Sequence, residues 1–135
     1  MTHESLRALL RDARTIAVVG CSPKTERPSH TVARYLQRAG YRMVPVNPGH
    51  AEILGERCYP TLTAAARDVR IDVVDVFRRR EAAGAVVDEA IGIRPRLIWL
   101  QVGVLDEAAC ARATTAGIPC VMDRCLAVEH ELLAN

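Results

Sequence analysis

The chain has 135 residues, half of them hydrophobic and a quarter charged, and its formal net charge is +2. That length fits one domain, so we expect residues 1–135 to form a single domain with its own core. The near-neutral charge argues against a nucleic-acid partner, whose binding surface usually needs a strong basic excess. Neither a signal peptide nor an apolar stretch of membrane-spanning length is seen, so we expect a cytoplasmic protein with no membrane partner.

The chain carries an odd number of cysteines, namely Cys21, Cys58, Cys110, Cys120 and Cys125. No two of them form a C-x-x-C pair, whereas structural zinc sites and disulfide frameworks usually show more regular spacing. We therefore expect free thiols in a reducing compartment, used for packing, and no metal site.

Helical and strand patterns alternate along the chain. Apolar residues at helical spacing predict a first helix over 4–13, and the apolar run 15–20, which ends at Gly20, predicts a strand buried on both faces. The same criteria then predict, in order, a helix at 29–39, a strand at 41–46, a loop, a helix at 61–68, a strand at 71–77, a helix at 81–91, a strand at 97–102, a helix at 106–116, a strand at 118–122 and a helix at 126–134.

Such alternation implies right-handed crossovers and a parallel sheet covered on both faces. The predicted fold is therefore α/β: a Rossmann-like three-layer α/β/α sandwich whose five parallel strands take the order 3-2-1-4-5. Ligands of open α/β sheets bind beyond the carboxyl ends of the strands, where the strand order reverses. In the predicted order that point lies between the first and fourth strands.

The loop after the first strand has the residues that a phosphate group needs. Gly20 permits close backbone approach and Ser22 offers donors, while Lys24 and Arg27 supply positive charge. The G-x-G-x-x-G fingerprint is absent, and Asn47 stands where NAD-binding folds carry an acid for the ribose. An NAD(P)-binding oxidoreductase or redox sensor is therefore the alternative to another phosphate-bearing ligand.

Further candidates follow the later strands. Arg78 is the arginine closest to the end of the third strand, where its forked guanidinium suits phosphate, and Phe77 can pack on an adenine ring. Gln101 and Gly103 end the fourth strand, whereas Trp99 is expected in the core. We expect Asp75, within the third strand, to be satisfied by backbone donors and to take no part in catalysis.

Catalysis by a thiol is a further alternative. Cys21 lies in the phosphate loop, where a helix N-terminus can lower a thiol pKa. Cys125 and His130 are five residues apart, a spacing that points side chains in different directions on a helix, so we expect no dyad there. A structural subunit with an unused pocket is the remaining alternative.

Several of these segments together resemble one family. They are residues 15–20 (TIAVVG) with Ser22, 27–29 (RPS), 44–48 (VPVNP), 73–78 (VVDVFR), 99–103 (WLQVG) and 122–125 (MDRC). In this order, and over about residues 4 to 132, the chain is similar to the small bacterial CoA-binding proteins. These are single Rossmann-like domains similar to the N-terminal CoA-binding domain of the succinyl-CoA synthetase α subunit.

The resemblance implies a ligand, coenzyme A or an acyl-CoA, and a non-catalytic binding module. It matches residues 20–22 and Lys24 to the loop that cradles the CoA phosphates, residues 46–48 to the turn beside the nucleotide, and residues 100–102 to the strand end facing the pantetheine arm. His50 stands where the ligase has a lysine, and 77–78 where it has a proline-rich turn.

With the candidates from the residues themselves, the expected CoA site comprises Gly20, Cys21, Ser22, Lys24, Arg27, Pro28, Val46, Asn47, Pro48, Phe77, Arg78, Leu100, Gln101, Val102 and Gly103. The catalytic domains of CoA ligases are not seen in the sequence, so we expect no ligase activity. A homodimer or a CoA-using enzyme is the expected protein partner.

Overall fold

The computed structural model describes residues 1–134, which form six helices and seven strands. In chain order the elements are α1 (His3–Asp12), β1 (Thr15–Val19), α2 (Pro28–Arg38), β2 (Arg42–Val46), β3 (Glu52–Ile53), β4 (Glu56–Arg57), α3 (Leu62–Asp68), β5 (Val73–Val76), α4 (Arg80–Ile93), β6 (Leu97–Leu100), α5 (Glu107–Thr115), β7 (Cys120–Val121) and α6 (Leu126–Ala134). Within the described part of the chain, no helix has both the length and the apolar character needed to cross a bilayer.

Local capping signals set where several helices begin. The hydroxyl of Thr61 accepts a hydrogen bond from the Ala64 amide at the start of α3, and the carboxylate of Asp106 accepts one from the Ala109 amide at the start of α5. Pro28 occupies the first turn of α2, where its missing N–H and fixed φ suit the helix. The predicted alternation of helices and strands is confirmed, with bounds shifted by a few residues.

Five parallel strands form the main sheet in the order β2-β1-β5-β6-β7. The five predicted strands correspond to β1, β2, β5, β6 and β7, so in their numbering the observed order reads 2-1-3-4-5. The predicted order 3-2-1-4-5 is therefore wrong. Pro45 gives a physical reason: proline lacks the amide that an interior strand needs on one side, so β2 suits an edge. The strand order therefore reverses between β1 and β5, which brings the end of β5 beside the loop that follows β1.

The segment after β2, expected to be a loop, contains a short antiparallel hairpin. Strands β3 and β4 pair Glu52 with Arg57 and Ile53 with Glu56. Just after the hairpin, the Tyr59 amide donates to the carbonyl of Pro45 at 3.0 Å. This covers part of the free edge of β2, a common way to protect an edge strand from pairing with other chains. Two-residue strands are too short to give a periodic signal in the sequence.

Apolar side chains fill both faces of the sheet, and the three-layer α/β/α architecture is confirmed. Helices α3, α4 and α5 pack on one face, and α1, α2 and α6 on the other. Trp99 lies fully buried on the second face, as expected, and its indole N–H donates to the carbonyl of Arg124 at 2.8 Å. The loop that follows β1 leads directly into α2, which packs on this second face.

A disulfide joins Cys110 of α5 to Cys120 of β7. The expectation of free thiols is therefore wrong for this pair, and it holds for Cys21, Cys58 and Cys125. The pairing has a topological cause: α5 runs back along the sheet and turns directly into β7, which brings two Cα atoms ten residues apart to within 5.3 Å. Spacing in the sequence does not reveal this contact.

We expect Cys110→Ala to lower the free energy of unfolding by about 2–3 kcal/mol, because the cross-link closes a loop in the unfolded chain. Urea unfolding without reductant measures the loss, with Cys125→Ala as the control at a free thiol. Thiol titration of the unfolded wild-type chain should find three free thiols. A count of five would show that the bond does not form.

Candidate functional site

A cleft of about 380 Å³ opens at the carboxyl end of the sheet, where α2 begins. It lies between the loops that follow β1, β2 and β5. Its lining residues are Gly20, Ser22, Pro23, Lys24, Arg27, Pro28, Ser29, Asn47, His50 and Phe77. A larger cleft of about 460 Å³ lies beside Met1 and Cys120, and no lysine or arginine lines it. The smaller cleft therefore has the electrostatic character that an anionic ligand needs.

Gly20 allows the β1 loop to approach the end of β5 closely. Its φ is +86°, and a Cβ atom placed on it would lie 2.0 Å from the carbonyl oxygen of Phe77. The same position is 3.0 Å from the Nη1 atom of Arg78, so the guanidinium lies against the loop. No other amino acid fits here without displacing the backbone of β5. This contact exists because β5, not β6, is the neighbour of β1.

Hydroxyl groups fix the shape of the β1 loop. The backbone amide of Ser22 donates to Oγ of Ser29 at 3.0 Å, and the amide of Lys24 donates to Oγ of Ser22 at 3.1 Å. Ser29 is buried in the first turn of α2 and was not among the expected site residues. Its sequence signal is weak, because a serine next to Pro28 is also an ordinary residue for the start of a helix.

Asn47 ties the loops after β1 and β2 together. Its side-chain Nδ2 donates to the carbonyl of Cys21 at 2.8 Å, and its own carbonyl accepts a hydrogen bond from the Cys58 thiol at 3.3 Å. Its backbone amide also donates to the carbonyl of Tyr59. The Asn47 amide group is therefore engaged in holding the wall of the cleft, where an NAD-binding protein would present a carboxylate to the ribose.

Positive charge surrounds the cleft. Lys24 and Arg27 are exposed on the β1 loop, and Arg78 is half-buried across from them. Among residues 1–134, no ion pair joins any of these three to an acidic side chain. The N-cap residue of α2, Arg27, forms no side-chain hydrogen bond with the amides of the first turn. Cations without acidic partners, together with the positive end of the α2 dipole, favour an anion such as phosphate in this cleft.

The predicted site residues divide into those that line the cleft and those, Arg78 included, that do not. Lining the cleft are Gly20, Ser22, Lys24, Arg27, Pro28, Asn47 and Phe77. Cys21, Val46, Leu100 and Gln101 are buried, whereas Pro48 and Val102 are exposed outside the lining. Gly103, with φ +83°, donates its amide to Asp123 Oδ1 at 2.7 Å. The end of β6 is thus one strand removed from the β1 loop, because β5 lies between them.

The Cys21 thiol is buried, and its pKa is raised to about 12. Burial is the main cause, and the neighbouring Cys58 and Asp75 add to it. The thiol is therefore protonated at neutral pH, which disfavours its use as a nucleophile. The other candidate for thiol chemistry pairs Cys125 with His130. The Nδ1 atom of His130 lies instead 2.7 Å from the hydroxyl of Tyr35.

Asp75 differs from the sequence expectation. Both carboxyl oxygens are buried and have no hydrogen-bond partner in the described chain, so the expected backbone donors are absent. Burial raises the pKa of this carboxyl well above its ordinary value. The reason is local: in the interior strand β5, the backbone amides bond to β1 and β6, so none remains for the side chain. Burial in the core therefore disfavours the charged form of the Asp75 carboxyl.

Comparison with known proteins shows the family to which the chain belongs. The family model described as "CoA binding domain" matches residues 14–131. The chain belongs to the CoA binding domain family. The resemblance noted in the sequence is thereby confirmed, and the Rossmann-like fold agrees with that of solved relatives. Within residues 1–134, no cluster of three or more metal-ligating side chains accompanies the CoA binding domain.

Three relatives illustrate how far the similarity extends. The chain is 36% identical to the uncharacterized protein YneT of Bacillus subtilis over 93% of its own length and 91% of the relative. It is 42% identical to the solved structure of cell-free ID.343 from Thermus thermophilus, with a TM-score of 0.90 over 98% of this chain and 99% of that one. It is 28% identical to the ADP-forming acetate–CoA ligase I of Archaeoglobus fulgidus over 57% of this chain's length, and the match covers 13% of that ligase.

Proposed function

We propose that this chain binds coenzyme A or an acyl-CoA in the cleft at the start of α2. The carrying observation is the group of cations, Lys24, Arg27 and Arg78, that surround the β1 loop without acidic partners among the described residues. Coenzyme A brings a diphosphate and a 3′-phosphate, and such groups bind well to backbone amides and arginine forks. The family's description, CoA binding domain, supports the same ligand.

Each part of the cleft has a proposed role. The loop of residues 20–22, with Lys24 and Arg27, holds the phosphates, and Arg78 pairs with one of them from the β5 side. Phe77, with residues 46–48 opposite, flanks the nucleotide, and Pro28 fixes the first turn of α2 beneath the anion. Residues 100–103 face the pantetheine arm further along the sheet.

The proposed activity is binding without catalysis. The protonated Cys21 thiol supports this, because a nucleophile needs the thiolate. We further propose that residues 1–135 act as one cytoplasmic CoA-binding domain. Its protein partner is proposed to be a second copy or a CoA-using enzyme. The similarity to part of an acetate–CoA ligase supports a CoA-using partner.

Isothermal titration calorimetry with CoA, dephospho-CoA and NADH tests the proposal. We expect CoA to bind, dephospho-CoA to bind more weakly because it lacks one phosphate, and NADH to give no heat. Heat with NADH and none with CoA would instead support the nicotinamide-nucleotide alternative. If none of the three ligands gives a heat of binding, the result would favour a structural subunit.

We expect Lys24→Ala to weaken CoA binding about tenfold, because it removes one charge-assisted hydrogen bond to phosphate. Calorimetry with CoA measures the change. Arg67→Ala is the matched control, since Arg67 is an exposed cation on α3 outside the cleft. Equal CoA affinities for wild type and Lys24→Ala would show that Lys24 is not part of the CoA site.

A further inference from the structure

The two cysteines of the disulfide differ in their burial. Cys110 belongs to α5 and is packed in the hydrophobic core, with 7% of its surface exposed. Cys120, at the start of β7, is half-buried and lines the cleft of about 460 Å³. A molecule from solution therefore reaches the disulfide from the Cys120 side.

This larger cleft lies at the opposite edge of the sheet from the proposed CoA site. Its walls are Thr114 in the last turn of α5, the turn that leads into β7, and Ser5 of α1. The cleft thus opens at the amino end of β7, whereas the cleft at the start of α2 opens at the carboxyl ends of the parallel strands. Its volume is in the range of small-molecule sites, and its described lining residues include no charged side chain.

A disulfide is unusual in the cytoplasm, the compartment proposed for this chain. Disulfides of cytoplasmic proteins are mostly transient and take part in redox reactions. Exposed disulfides are also the ones that exchange with thiols most readily. The Cys110–Cys120 bond has one sulfur in the core and the other beside a cleft, so only one of the two sulfurs is open to attack.

We propose that the cleft beside Cys120 is a thiol–disulfide exchange site for low-molecular-weight thiols, with Cys120 as the attacked residue and Cys110 as the leaving group. The incoming thiolate forms a bond to Sγ of Cys120 while the Cys110–Cys120 bond breaks. The electron pair of that bond leaves on Sγ of Cys110, which takes up a proton.

A second thiolate completes the exchange by attacking the small-molecule sulfur of the mixed disulfide, which releases Cys120 as a thiolate. In sum, the protein disulfide takes up two electrons and two protons, and two small thiols become one small disulfide. The reverse reaction begins when the Cys120 thiolate attacks a small-molecule disulfide and displaces one thiolate from it. Both directions require access to Cys120 and none to Cys110.

The first test uses the wild-type chain with glutathione as the probe. The two are mixed without oxygen, the thiols are blocked with N-ethylmaleimide, and the peptides are analysed by mass spectrometry. Free thiols such as Cys125 form no glutathione adduct without an oxidant, so any adduct comes from the disulfide. We expect glutathione on Cys120 and maleimide on Cys110. Glutathione on Cys110, or a disulfide that stays intact in excess glutathione, overturns the proposal.

The second test compares Cys110→Ser with Cys120→Ser, which both lack the cross-link. We expect glutathione disulfide to modify Cys120 in the first variant at least about tenfold faster than Cys110 in the second, because burial excludes the reagent from Cys110. Peptide mapping separates these reactions from that of Cys125, which both variants retain. Equal rates contradict the assignment of Cys120 as the attacked residue.

The third test fills the cleft. Thr114→Trp, introduced into the Cys110→Ser variant, should slow modification of Cys120 about tenfold, because the indole occupies the approach to the sulfur. Thr115→Trp is the matched control, since Thr115 is exposed on the same turn of α5 but does not line the cleft. Equal rates in the two tryptophan variants would show that the cleft is not the route to Cys120. The proposed binding of CoA at the opposite edge of the sheet does not depend on these results.

Discussion

Replacement of Gly20 by alanine is expected to destabilise the fold by about 2–5 kcal/mol. The left-handed φ of +86° costs a non-glycine residue about 1–2 kcal/mol, and forcing a methyl group into a filled space costs about 1–3 kcal/mol more. The carbonyl oxygen of Phe77 would lie 2.0 Å from the new Cβ atom, and a backbone oxygen cannot rotate away. Urea unfolding of the apo protein measures the loss.

Gly40→Ala is the matched control for this substitution. Gly40 also has a positive φ, +101°, but nothing lies within 4 Å of a Cβ atom placed on it. It should lose only the conformational part, about 1–2 kcal/mol. If the two variants lose equal stability, the close approach of the β1 loop to the end of β5 is not real.

The free energy of unfolding of the Asp75→Asn variant, relative to that of wild type, is expected to increase as pH rises. Below the ordinary pKa of 3.8 the carboxyl is protonated in both the folded and the unfolded chain. Above it the unfolded chain releases the proton while the folded chain keeps it, because burial raises the folded-state pKa. Wild type therefore loses up to about 1.4 kcal/mol of stability per pH unit, until the pH passes the folded-state pKa. The asparagine variant has no such dependence.

Urea unfolding of both proteins between pH 4 and pH 8 gives the difference at each pH, and titrations elsewhere in the chain cancel in it. Asp72→Asn on the same sheet provides a contrast, because the Asp72 carboxylate accepts hydrogen bonds from the amides of Arg14 and Thr15. That variant should be less stable than wild type. A difference for Asp75→Asn that stays flat from pH 4 to pH 8 would mean that Asp75 ionises in the folded protein.

The elements could be predicted from the sequence because their signals are local. Apolar spacing and a glycine or proline at the ends set each helix and strand, and the predicted helix at 29–39 is observed at Pro28–Arg38. The lateral order of strands is a property of pairing between distant segments, which periodicity does not encode. Pro45 was the available signal, since it excludes an interior position for β2.

The same distinction explains which site residues were predicted well. Gly20, Lys24 and Arg27 follow one strand directly, so their shared location at the cleft depends only on local structure. Gln101 was expected beside the β1 loop, and that expectation depended on the wrong strand order. It lies one strand further away, on β6.

Non-local contacts account for the remaining differences. The roles of Ser29 and Asn47 arise from hydrogen bonds to Ser22 and Cys21, which no spacing rule relates to them. Asp75 lacks backbone donors because both edges of β5 are already paired in the middle of the sheet. Such facts depend on how the layers assemble, so they require the structure.

A crystal structure of the chain with CoA tests most directly whether the cleft at the start of α2 is the CoA site. We expect the phosphates against the loop of residues 20–22 and the side chains of Lys24 and Arg78, with the pantetheine arm running toward Gln101. CoA bound instead in the larger cleft beside Met1 and Cys120, or bound with its phosphates away from Lys24 and Arg78, would contradict the proposed site.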